Sequence, residues 1–148
     1  MIGSLILKRQ ASFLFIVLLF LSSCKVTLVP EYSSSLEERI INVAKKNDLL
    51  YQDMLGKKEA DRKYEYYIDR YNDIAAEINS MELENETRSN NTEMLEIIDN
   101  LKKAFNQYKG DHQRKIILPE GEIKVYQSQI RAFWRPLLIA EKGLKLAR

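Results

Sequence analysis

The chain has one cysteine, one histidine, one tryptophan and three prolines, and each scarcity removes a class of chemistry. A lone cysteine supports neither a disulfide framework nor a histidine-and-cysteine zinc site. One histidine falls short of the Glu-x-x-His pair on each of two helices that a carboxylate-bridged two-metal bundle needs. No serine sits in a Gly-x-Ser-x-Gly turn, so a hydrolytic triad has little support. No self-similar period marks a solenoid. The longest apolar stretch, between Arg9 and Lys25, is shorter than the roughly 20 residues that span a bilayer. Neither a metal nor an organic cofactor is expected.

What the first residues do contain is ordered. Lys8 and Arg9 precede an apolar run from Phe13 to Leu21, and Leu21-Ser22-Ser23-Cys24 follows with two small residues before the only cysteine. A positive region, an apolar region and a small-residue cleavage site are the parts of a secretory leader. The segment resembles the lipobox leader of bacterial lipoproteins. That resemblance implies cleavage before Cys24, a diacylglycerol on its thiol and an acylated new amino terminus. It also implies an envelope location. Lys25, where an aspartate would retain the protein in the inner membrane, points to the outer membrane, facing the periplasm. A plain secreted form and an uncleaved anchor are the alternatives.

Lys8 and Arg9 account for the whole formal charge of +2, so the mature chain is neutral and no basic excess indicates nucleic acid. The division expected is a signal peptide over 1–23, a lipidated N-terminus and spacer over 24–34, and one domain over 35–148. The spacer contains Pro30 and a serine run and lacks a helical period.

Every apolar stripe after Ser35 has three-four spacing, which predicts helices. Ser35-Leu36-Glu37-Glu38 has the form of a capping box. The first stripe runs through Leu36, Ile40, Val43, Leu50 and Met54, is interrupted by Asn47, and ends at Gly56 in a turn or kink, with one continuous helix as the alternative. The second runs from Tyr64 through Tyr67, Tyr71, Ile74 and Ile78 to Met81, with Glu82 to Asn91 read as a loop. The third, capped by Asn91 or Thr92, carries Met94, Ile98, Leu101, Phe105 and Tyr108. It ends near Gly110 or continues through His112. Ile116 to Gly121 reads as helix end and loop.

The last stripe joins Ile123, Tyr126, Ile130, Phe133, Leu137, Ala140, Leu144 and Ala147, and Pro136 inside it predicts a kink. Together these stripes predict an all-α antiparallel bundle of three to four helices. Charge agrees with that pairing: residues 35–86 hold 8 basic and 13 acidic side chains, and residues 87–148 hold 12 and 7.

Four places carry residue types suited to a site. His112, on the face of Tyr108, is expected to be a bundle histidine bonded to a carboxylate or carbonyl. Tyr64, Tyr67 and Tyr71 offer broad apolar faces with polar tips that suit a ligand groove, although the plainer expectation is core-margin residues with hydroxyls turned to water. Arg131, Trp134 and Arg135 flank the last stripe and suit either a partner contact or, with Lys142 and Lys145, an anionic membrane surface. The expectation preferred is a bundle wall with Phe133, Leu137 and Leu144 buried. Arg88-Ser89-Asn90-Asn91 reads as a solvated connection.

Functionally, the sequence points to a lipid-anchored envelope protein that binds or scaffolds an envelope partner. A small-ligand-binding bundle and an exclusion, immunity or inhibitor lipoprotein are the other readings, and an enzyme has the least support.

Overall fold

The computed structural model describes residues 29–146. Four helices make up the fold: α1 (Ser34–Leu55), α2 (Ile68–Glu86), α3 (Thr92–Lys115) and α4 (Glu120–Leu146). Two short 3-10 turns, Glu59–Asp61 and Tyr64–Tyr66, lie between α1 and α2. Each helix packs on its two neighbours, α1 on α2 and α4, and α3 on α2 and α4. Cross-helix pairs show that all four contacts are antiparallel. Arg39 meets Glu84 while Asp53 meets Arg70, and Lys115 meets Glu122 while Tyr108 meets Gln129. Lys142 meets Glu37 while Arg131 meets Asp48. Lys102 meets Glu82 while Lys109 meets Asn72. The molecule is an up-down bundle, as the stripes predict.

The core is the sum of those stripes. Leu36, Ile40, Val43, Leu50 and Met54 of α1 face Tyr71, Ile74, Ile78 and Met81 of α2, with Ile98, Leu101 and Phe105 of α3 and Ile123, Ile130 and Leu137 of α4 closing the centre. Gly56 ends α1, its amide bonding to the Gln52 carbonyl at 3.0 Å. Gly110, by contrast, sits inside α3, where a Cβ would meet only the flexible Arg114 guanidinium. The chain stops helix formation at Ile116, whose φ of 65° lies in the left-handed region that β-branched residues avoid. Tyr64 holds it there, donating its amide to the Ile116 carbonyl at 2.8 Å, while Lys63 and Ile117 form a single antiparallel bridge.

Several boundaries differ from expectation, each because a tertiary partner takes a backbone or charged group. The α1 cap is Ser33, two residues before the expected Ser35. Its Oγ accepts from the Leu36 amide at 3.2 Å. The reach-back glutamate of a capping box is replaced by Glu141 of α4, which accepts the Ser33 amide at 2.6 Å. Helix α2 begins at Ile68 and not Tyr64: residues 64–66 form a 3-10 turn closed by the Tyr67 amide on the Tyr64 carbonyl at 2.9 Å, and the Tyr64 amide bonds across to Ile116. It then runs on to Glu86 through residues expected in a loop. Glu82 and Glu84 are paired with Lys102 and Arg39 there, so the acidic stretch is the outer face of a helix.

In α4 the buried line is Ile123, Ile130, Trp134, Leu137 and Glu141. Leu137 is buried as expected, but Phe133 and Leu144 are half-buried. The seam is narrower than the three-four stripe and shifts one residue to admit the indole. Pro136 is exposed and α4 continues through it to Leu146.

Candidate functional site

His112 is fully buried and both its ring nitrogens are engaged. Nε2 lies 2.8 Å from the Arg62 carbonyl, which can only accept, so this nitrogen carries the proton. Nδ1 then accepts from the Tyr71 hydroxyl at 3.1 Å. The expected carbonyl partner is present, supplied by the loop that Arg62 ties back through two bonds to the Lys57 carbonyl. Desolvation lowers the His112 pKa below its ordinary value, opposed by the Arg62 bond, so the imidazole is neutral at pH 7.

The tyrosines pack on that ring. Tyr64 stacks on Tyr71 at 5.8 Å between centroids, Tyr64 and Tyr71 both meet His112 edge-on, and Tyr71 also contacts Phe105. The Tyr71 hydroxyl is therefore bonded inside the core and not turned to water, a correction to the core-margin expectation, and burial pushes its pKa far up. Tyr67 is buried as well, leaving Tyr66 as the exposed member of the group. Tyr108 and Tyr126 stack on one another at 4.4 Å. Ring faces that a ligand would use are covered by other rings.

Arg131, Trp134 and Arg135 are brought together differently. With Leu138 on α4 and Ile40, Ile41, Ala44 and Asp48 on α1, they line an open groove of about 310 Å³. Its floor is apolar and its rim carries guanidinium groups. Arg131 is held by Asp48 through Nε at 2.7 Å and Nη2 at 2.5 Å, and Gln127 and Gln52 bond the same carboxylate. Arg135 is exposed and pairs with no carboxylate among the described residues. Trp134 is 5% exposed, and its indole N–H has no hydrogen-bond partner there. The arrangement is suited to an apolar side chain seated on Trp134 with an acidic group beside Arg135.

One polar cluster went unread in the sequence. Glu141, wholly buried, takes Arg88 through Nη1 at 2.9 Å and Nη2 at 3.2 Å, besides the Ser33 amide. Arg88 also donates to the Glu31 carbonyl and to Asn85 Oδ1. Buried Asn85 is bonded in turn by Asn91 Nδ2 at 2.7 Å. The 88–91 tip is thus a fixed part of the bundle end. A glutamate on the apolar line of α4 was the available signal. Two further polar groups lie in the core, the Asn47 amide and the Tyr51 hydroxyl, neither with a hydrogen-bond partner among the described residues.

Among the described residues, no group of three or more His, Cys, Asp or Glu could hold a metal ion, and no helix is long and apolar enough to cross a membrane. Cys24 and the leader lie outside the described residues. No family model, curated protein or solved structure matches the chain.

Proposed function

We propose that the chain is a lipid-anchored envelope protein whose helical domain holds a protein partner and catalyses no reaction. The observation that carries the binding half is the groove: Arg131, Trp134 and Arg135 stand on one open, apolar-floored face, while His112 is enclosed with both nitrogens occupied. The anchor half rests on Leu21-Ser22-Ser23-Cys24 behind a charged, apolar leader. Two or more acyl chains hold a protein on a membrane where one chain gives only marginal binding. Tethering then raises the concentration at which a partner in the same membrane meets the groove.

A photo-crosslinking residue at Leu138 in the full-length protein, expressed in its own membrane, tests this reading. A discrete crosslinked partner that disappears with Arg135→Glu and is not obtained from Tyr66 at the far end is the expected result. Equal labelling from both positions, or labelling indifferent to Arg135, would remove the groove from the account.

A further inference from the structure

Resting on the lipid-anchor reading, the geometry points to a bundle that stands end-on upon the bilayer, with the end carrying Val29, Ser89 and Leu146 against the lipid headgroups. The first argument is where the chain leaves the fold. Glu141 and Arg88 pin Glu31 and Ser33 to the end of the bundle formed by the start of α1, the 87–91 connection and the end of α4. Val29 and Pro30 line one open cleft with Thr87 and Ser89 and a second with Met94, Ala140 and Leu144. From Cys24 to Val29 is five residue steps, a reach of at most about 18 Å. The tether therefore keeps this end near the bilayer. The opposite end, with Tyr66 and Ile116, is a whole helix away, about 33 Å for the 22 residues of α1.

The second argument is what the surfaces offer. The exit end exposes Val29 at 50% and Leu146 at 89%, the most exposed large apolar side chain described. Lys142 and Lys145 are exposed near Leu146, the first beside Glu37 at 3.9 Å and the second over the Tyr32 ring at 5.6 Å, and their stems can lie along lipid. Glu31 and Glu93 are exposed at the same end, and Tyr66 and Ile116 are each 61% exposed at the opposite one, so the tether, not net charge or apolar exposure alone, sets the orientation. The carboxylates on the sides are paired, Asp73 and Glu77 with Lys46, Asp53 with Arg70 and Asp99 with Lys103, so charge leaves the choice of face to the tether.

End-on standing places the groove on a side wall. Trp134 is 12 residues before Leu146 on α4, about 18 Å along the axis, so the groove faces along the membrane plane toward a partner rooted in the same membrane.

The full-length lipidated protein, reconstituted in vesicles of phosphatidylethanolamine and phosphatidylglycerol, tests this. Trp134 is the only tryptophan and reports the side wall directly. Lipids brominated along their acyl chains should quench it by less than about a tenth. Because the native thiol is lipidated, Leu146→Cys and Tyr66→Cys each accept a single nitroxide label. Nickel chelated to headgroups should relax the label at 146 several-fold more than the label at 66. Strong bromolipid quenching of Trp134, or equal relaxation at the two ends, would overturn end-on standing. Protein that fails to float with the vesicles would overturn the anchor itself, and this orientation with it.

Discussion

His112 contributes stability only while it is neutral, because the bond from Tyr71 requires Nδ1 to accept and burial disfavours the imidazolium. The folded-state pKa is lowered, so the unfolded chain binds more protons once pH drops below about 6.5. The contribution is complete above that value and is lost as pH falls toward the lower, folded-state pKa. The denaturation midpoint of the mature chain should therefore fall between about pH 7.5 and 5.5, and His112→Gln should flatten that slope. An equal slope in both proteins would show that the ring does not titrate as described. Asn47 carries the opposite expectation. Its amide is wholly buried without a hydrogen-bond partner among the described residues. Asn47→Leu, which keeps the branching and the heavy-atom count, should raise stability by about 1–3 kcal/mol in a denaturant titration, and a loss would reveal a partner for that amide or too little room for the two methyls. At this scale the carbonyl partner of His112 was legible, since a lone histidine on an apolar face needs a bond. Its tyrosine was not, because Tyr71 lies 41 residues away and nothing local aims its hydroxyl.

Elements were readable wherever apolar period decided them and unreadable wherever a distant group did. The stripes of α1 and α3 are buried nearly residue for residue as spaced. Caps were not, because Ser33 and Ser35 are chemically equal in the sequence and the choice is made by Glu141, 108 residues on. The end of α2 was obscured for a similar reason: an acidic run is a loop or a helix according to whether cations such as Lys102 and Arg39 face it. Helix α4 serves both the core and the groove, and Leu137 separates those roles. It is fully buried and does not line the groove. Leu137→Ala should cost about 2–5 kcal/mol in a denaturant titration of the chain without its lipid and leave liposome binding of that chain unchanged. An unaltered midpoint with lost liposome binding would make α4 a membrane-surface helix instead.

At the scale of the whole molecule, the all-α bundle followed from four stripes that have to share one core. The opposed charge of the two halves is realised in part, through Arg131 with Asp48, Lys102 with Glu82 and Lys142 with Glu37. Its best-buried ion pair, Arg88 with Glu141, joins two residues of the same half. The groove was only half legible. The composition of α4 singled out Arg131, Trp134 and Arg135, but the floor comes from Ile40, Ile41 and Ala44, some 90 residues earlier, and only folding brings the two together. The proposed anchor, end-on standing and side-facing groove all depend on a lipid at Cys24. Mass spectrometry of the protein extracted from its native membrane measures it directly. The expected result is a chain beginning at Cys24 with a diacylglyceryl thioether and an acylated amino terminus. An unmodified thiol at Cys24, or a chain that still carries residues 1–23, would contradict it.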